Sequence, residues 1–242
     1  MPEPIDLSAL FGQSPEEIVQ AFRDKDYEVS FNWRDVWEEA NAQAFTVSRL
    51  VEMDVLQSVH DAVTTSLEEG QTFREFQQEL EPELRAKGWW GENEVVNEQT
   101  GEVVTTRFTP WRLKTIYRTN LQTSYMGGRW KSQQNSSRPY LEYIAINDPQ
   151  TRESHRARDG VVLRKDDPWW DENYPPNGWG CRCRTRTLSE RQVERRGINV
   201  ASEDDVPQVA EEGWQYNPGE AQHDPDLDNY EPQLREDYLS RV

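Results

Sequence analysis

The residues best suited to chemistry fall between positions 148 and 183. DPQTRESHRARDG followed by DDPWWDENYPPNGWGCRCRT gathers His155, Asp159, Asp166, Asp167, Cys181 and Cys183. One chemistry open to them is metal binding. His155, Cys181 and Cys183 are soft or borderline ligands of the kind zinc accepts, and a tetrahedral site needs a fourth ligand. Asp148 and Asp159 are the nearest candidates for it. The other reading of the cysteines is that they are small buried hydrophobes. Hydrolysis is a weaker option. Ser154 is adjacent to His155, a poor placement for a triad, and no GxSxG, HExxH or Walker A pattern occurs. The chain is expected not to be an enzyme. His60 and His223 have no ligand cluster around them in the sequence.

The elements around these residues follow from local patterns. In C-R-C-R-T-R, a strand puts Cys181, Cys183 and Thr185 on one face and Arg182, Arg184 and Arg186 on the other. Such an arginine face suits acidic flanks, phosphate or an acidic partner. Asp148-Pro149 ends a β-rich stretch at 140–147, and Val161 to Leu163 reads as a second short strand. Residues 165–187 read as loop up to the alternating segment. Thr109-Pro110 opens a long helix through Leu113, Ile116, Tyr117, Leu121 and Tyr125, expected to stop at Gly127-Gly128. Its polar face carries Arg112, Lys114, Arg118 and Arg129. Val95-Val96 and Val103-Val104 flank Thr100-Gly101 as a hairpin.

The amino-terminal third reads as helical. Ser14, Pro15 and Glu17 make a helix start with a capping box. Trp33 to Arg49 shows apolar residues at spacings of three and four. Asp54 to Glu69 repeats that pattern, with Gly70 placed to follow the helix end. Thr72 and Glu75 form another capping box. From residue 197 onward acidic residues, Pro and Gly dominate, and an extended tail is expected.

Composition bounds the rest. The 242 residues carry 27 basic and 45 acidic side chains, a formal net charge of -18. That charge is uneven. Residues 1–105 hold 7 basic and 23 acidic groups, residues 106–196 hold 18 and 10, and residues 197–242 hold 2 and 12. A basic middle therefore lies between acidic flanks, which either neutralise it or leave it for a partner. Leu, Ile, Val and Phe make up 19% of the chain. That is near the level which marks disorder when charge is high, but 10 Trp and 9 Tyr supply large buried areas instead. No apolar run reaches the roughly 18 residues that span a bilayer. The start MPEPIDLSAL lacks the parts of a signal peptide, and two closely spaced cysteines are no disulfide framework. A soluble chain made in a reducing cytoplasm is expected.

The sequence resembles the Mu F-like family of phage minor head (head morphogenesis) proteins. The resemblance rests on PEEIVQAF, NWRDVWEEANAQAFTV, DVLQSV, LEEGQTFREFQQELEPEL and KGWWG in the first half. It continues in YRTNLQTSYMGGRW, DPQTRESHRARDG, PPNGWGCRC and GWQYNPG. Some members have CxxC where this chain has Arg152 and His155, and a His where it has Gly178-Trp179-Gly180. At most three soft ligands remain here. An α+β protein is expected, with an acidic helical region at 1–91, a small mixed α/β core at 92–196 and an extended tail at 197–242. The resemblance implies a structural role in the head, with the portal and major capsid or scaffold proteins as partners and packaged double-stranded DNA as a further contact. It implies no membrane, and a location in the head interior or portal vertex, reached from the host cytoplasm.

Arg118, Asn120, Asp148, Asp159, Gly160, Pro175 and Pro176 are expected to define the core structurally. Asp159-Gly160 suits a tight turn, and Arg118 and Asn120 suit buried carbonyls or carboxylates. Arg112, Lys114, Arg129, Arg182, Arg184 and Arg186 are the expected nucleic-acid or portal contacts. A DNA-binding accessory protein and a metal-dependent hydrolase or toxin domain are the alternative functions.

Overall fold

The computed structural model describes residues 15–23, 25–27, 44, 45, 47, 49, 50, 52–96 and 101–223. Its amino-terminal part is built from α1 (Pro15–Arg23), α2 (Met53–Glu69) and α3 (Phe73–Ala86). Val55, Leu56, Val59, Val63 and Leu67 form the buried stripe of α2. Gly70 closes it at φ 66°, a left-handed cap that favours glycine. The Thr72–Glu75 capping box opens α3 as expected, with Thr72 N donating to Glu75 Oε2 at 2.7 Å. Ser14, the expected cap of α1, lies outside the described residues.

The helix expected over Trp33 to Arg49 is not continuous. Residues 28–43 lie outside the described set, but Ala44–Phe45 form a strand, β2, paired in parallel with β1 (Asp26–Tyr27). Phe45 is buried edge-on against Phe22 at 5.7 Å and His60 at 5.0 Å. Tertiary packing of that ring overrides the helical spacing. His60 is itself a packed core residue, stacked on Phe22 with its Nε2 3.3 Å from the Phe22 carbonyl.

The expected hairpin is present as β3 (Gly91–Val96) and β4 (Val103–Phe108), with Val95 opposite Val104 and Val96 opposite Val103. Trp89, Val95 and Phe108 bury in the same cluster as α1, α2 and α3. The spine of the molecule is α4 (Pro110–Gln134), capped by Thr109, with Pro110 in its first turn. This helix runs straight through Gly127-Gly128 instead of ending there. Leu113, Ile116 and Leu121 bury in the first cluster, while Met126 and Trp130 pack in the second. Burial at both ends outweighs the roughly 1 kcal/mol that each interior glycine costs.

The second cluster sits on a three-stranded antiparallel sheet, order β6 (Val162–Arg164), β5 (Tyr140–Ile144), β7 (Arg184–Leu188). Between β5 and β6 lies the single turn α5 (Glu153–Arg156). The segment expected as loop before the cysteines contains α6 (Trp169–Asn173). Asp167 Oδ1 accepts from Trp169 N at 3.0 Å, and both tryptophans are fully buried. After β7 comes α7 (Glu190–Arg196), opened by a Ser189–Gln192 capping box. Helices with small, mainly antiparallel sheets make the α+β class that was expected.

The segment after residue 197 is largely irregular, yet up to residue 223 it is packed rather than free. Val206, Val209, Trp214, Tyr216 and Ala221 are buried. A last turn, α8 (Pro218–His223), lies along α4, where Gly219 sits against the Trp130 side chain with no room for a Cβ. Aromatic and aliphatic burial here outweighs the acidic, Pro-rich character that suggested an open tail. Residues 224–242 lie outside the described set.

Candidate functional site

The loop between β5 and β6 is shaped by two aspartates. Asp148 Oδ1 accepts from Gln150 N at 3.0 Å and Thr151 Oγ1 at 3.1 Å, which folds the Asp148-Pro149 turn and starts the approach to α5. Asp159 Oδ1 accepts from Ala145 N at 2.9 Å and Oδ2 from Asn147 Nδ2 at 2.6 Å. Gly160 follows at φ 81° and donates to the Tyr143 carbonyl at 2.9 Å. The expected Asp159-Gly160 turn is therefore present, and it places α5 over the sheet. On the other side, the Pro175–Pro176 peptide bond is cis. Asn177 is fully buried and accepts from the Tyr143 hydroxyl at 2.8 Å.

These two segments bring His155, Cys181 and Cys183 together. They are 2%, 6% and 3% exposed. His155 Nδ1 lies 3.6 Å from Cys181 Sγ and 3.4 Å from Cys183 Sγ. The three ligand-type atoms all lie within 4.8 Å of one another. Neither cysteine is in a disulfide. The Cys183 S–H aimed at Cys181 holds the Cys181 thiol well below the usual range against the effect of burial; His155 and the Asn177 backbone add to this. The same contact, with burial, pushes Cys183 up. Among the described residues, His155 Nε2 has no hydrogen-bond partner.

The alternation read from C-R-C-R-T-R is present, although the strand itself begins only at Arg184. Cys181, Cys183 and Thr185 point inward and are buried, while Arg184 and Arg186 are exposed. Neither expected fourth ligand is available. Asp148 is gripped by Arg182 through two bonds of 2.7 Å, which hold its carboxyl well below the usual range. Asp159 is spent on the loop. Both carboxylates were the nearest in sequence, but the turn geometry claims them first.

The arginines expected to face a partner are mostly engaged within the chain. Arg182 pairs with Asp148, and Arg186 pairs with Glu142 at 2.5 Å, beside Arg196 at 3.4 Å. Arg129 Nε donates to the Thr185 carbonyl at 2.9 Å. Arg112 stacks on Phe108 at 4.2 Å and bonds to Thr106; burial and nearby Arg49 lower its pKa to about 10. Lys114 is half-buried over Phe73. Among the described residues, Arg184 alone of the six is exposed and in no ion pair. Of the two residues expected to satisfy buried groups, Asn120 does so, donating to the Ile116 carbonyl at 2.9 Å. Arg118 is exposed, because its place on α4 faces away from both clusters.

Several residues that hold this region were not singled out from the sequence. Tyr174, Gln133 and Thr185 form a closed buried network with bonds of 2.9 to 3.1 Å. Asn173 and Asn177 anchor the segment after 205. The available signal was the pair of asparagines bracketing Tyr174-Pro175-Pro176, since Asn beside such turns commonly satisfies backbone groups.

Glu142 gives a pH prediction. Its side chain is 7% exposed. Burial raises its pKa, but the bonds from Arg186 and Arg196 outweigh this, and the net shift is downward. A lowered carboxylate pKa contributes stability above the unfolded value, about 4.3, which is lost as pH falls through the folded value. Glu142→Gln is expected to cost about 1–2 kcal/mol at pH 7. In urea titrations, the gap between wild type and variant should shrink steadily below about pH 4. A gap that stays constant down to pH 3 would contradict the ion-pair assignment.

Comparison with known proteins identifies relatives of this chain. The Phage Mu protein F like family matches residues 57–186, a span that includes all three buried ligand-type residues. The chain is 34% identical over 249 aligned residues to the putative capsid assembly protein F of Escherichia phage Mu, covering 90% of this chain and 57% of that protein. It is 40% identical over 185 residues to the Mu-like prophage FluMu F protein of Haemophilus influenzae, covering 76% of this chain and 44% of that one. The chain thus spans about half the length of these curated relatives. No solved structure matches it. With more than half of its residues matched and relatives above 30% identity along most of its length, the chain belongs to the Phage Mu protein F like family.

Proposed function

We propose that this chain is a structural minor head protein of a Mu-like tailed phage or prophage. It associates with the portal and the inner capsid during head assembly and DNA packaging. The observation that carries this reading is the alignment of 90% of the chain with a protein described as a putative capsid assembly protein. The surface agrees with a binding role. Trp111 is 75% exposed, and Val96 and Val103, which pair across the hairpin, are 52% and 57% exposed. Exposed tryptophan and contiguous apolar surface are favoured at protein interfaces. No helix among the described residues is long and apolar enough to cross a membrane.

Two alternatives have less support. A DNA-binding accessory role would draw on the basic middle, but Arg112, Arg129, Arg182 and Arg186 are occupied internally. A hydrolase would need substrate to reach His155, Cys181 and Cys183, which are buried. The test is co-expression with the portal and major capsid proteins of the same phage, followed by pull-down and localisation in assembled heads. Retention with the portal, and density at its vertex, is the expected result. Absence from both particles and precursors would sink the head-protein reading. Retention on DNA that weakens steeply with salt would favour the accessory role instead.

A further inference from the structure

We propose that His155 Nδ1, Cys181 Sγ and Cys183 Sγ bind a zinc ion that serves as a structural clamp between α5 and the segment leading into β7. This is independent of the head-assembly reading. The spacing is the first argument. Tetrahedral zinc with sulfur at about 2.3 Å and imidazole nitrogen at about 2.0–2.1 Å sets each nitrogen–sulfur edge at about 3.6 Å. The two edges here are 3.6 Å and 3.4 Å, before any ion draws the ligands in. The donor set is the second argument. Two sulfurs and an imidazole are the ligands that select zinc over magnesium or calcium. Two thiolates balance its charge, so the site is neutral without a carboxylate. That fits the commitment of Asp148 to Arg182 and of Asp159 to the loop backbone.

The surroundings of His155 add a third argument. The imidazole is buried and its Nδ1 faces two sulfurs. Sulfur is a weak hydrogen-bond partner. With thiols alone the ring is poorly satisfied, whereas a metal bond to Nδ1 gives it a strong one. The local fold has a matching need. α5 is four residues long and has no side-chain N-cap bond, so little holds it as a helix by itself. A metal ligand on its third residue ties it to residues 181 and 183. Burial of all three ligands closes the site to substrate, which suits a structural ion. Three protein ligands leave one tetrahedral position to be filled from outside this set.

The test uses the full chain, expressed with zinc and purified without chelator. Elemental analysis and native mass spectrometry should find one zinc per chain. Exchange with cobalt(II) should produce thiolate-to-cobalt charge-transfer bands, and X-ray absorption should show two sulfur neighbours. His155→Ala and Cys183→Ser should each reduce zinc to background, and chelator should lower the melting temperature of the wild type only. A wild-type chain that is metal-free and shows no charge transfer on adding cobalt overturns the proposal, and this does not depend on whether the variants fold. Stoichiometric zinc that persists in folded His155→Ala and Cys183→Ser also overturns it, because the ion would then sit elsewhere.

Discussion

Trp170→Ala is expected to lower the stability of the sheet-containing half of the molecule by about 3–5 kcal/mol. Trp170 is fully buried. Its ring meets Trp169 edge-on at 5.0 Å and Tyr174 at 6.2 Å, and its Nε1 donates to the Arg164 carbonyl at 2.8 Å. Arg164 is the last residue of β6, so the indole joins α6 to the sheet edge. Truncation opens a cavity and leaves that carbonyl without its donor. Trp170→Phe keeps the six-membered ring but loses the hydrogen bond and part of the indole volume, so it should cost less than alanine, about 1–2 kcal/mol. Urea unfolding followed by near-ultraviolet circular dichroism measures both. A cost under about 1 kcal/mol for the alanine variant would show that the indole is not a packing centre.

Asn173→Ala should cost about 2–4 kcal/mol, and its effect should be concentrated in the segment at 205–217. Asn173 is fully buried. Its Oδ1 accepts from Val209 N at 2.8 Å and Ala210 N at 3.3 Å. Its Nδ2 donates to the Trp169 carbonyl at 2.9 Å and to Gln208. One side chain thereby satisfies two backbone donors of a segment with almost no secondary structure of its own. Without it, those amides lose their partners in a buried setting. Hydrogen exchange at Val209 and Ala210 should rise sharply, while exchange in α2 stays near the wild-type rate. Equal acceleration in both places would mean that the segment unfolds only with the whole molecule. Asn173→Asp keeps the acceptor but sets a carboxylate oxygen against the Trp169 carbonyl and Gln208 in a fully buried site, so it should cost at least as much as alanine.

These two residues also mark where reading the chain by itself stops. Trp169-Trp170 sat in a stretch that looked like loop, because five helical residues are too few to show a period. Asn173 had no local pattern at all. By contrast, the Thr72–Glu75 capping box, the Gly70 stop and the valine pairs of the hairpin were all legible. Each depends on residues within a few positions of one another, and local sterics and hydrogen bonding decide them. The inward set of Cys181, Cys183 and Thr185 was legible for the same reason, since a period of two follows from backbone geometry.

What the sequence determined by itself is the family, the α+β class, most element starts and the identity of the three soft side chains that meet. Tertiary structure alone decided what those groups meet. It sent α4 through Gly127-Gly128, because Met126 and Trp130 find a second core there. It gave Asp148 to Arg182, 34 residues away, and so removed both a fourth ligand and a free arginine. It folded residues up to 223 back onto α4 and α6, where an acidic composition suggested an open arm. The reason is common to all three. Period, caps and turns are set between neighbours in the chain, whereas burial and charge pairing are won by whichever distant group the packed fold brings nearest.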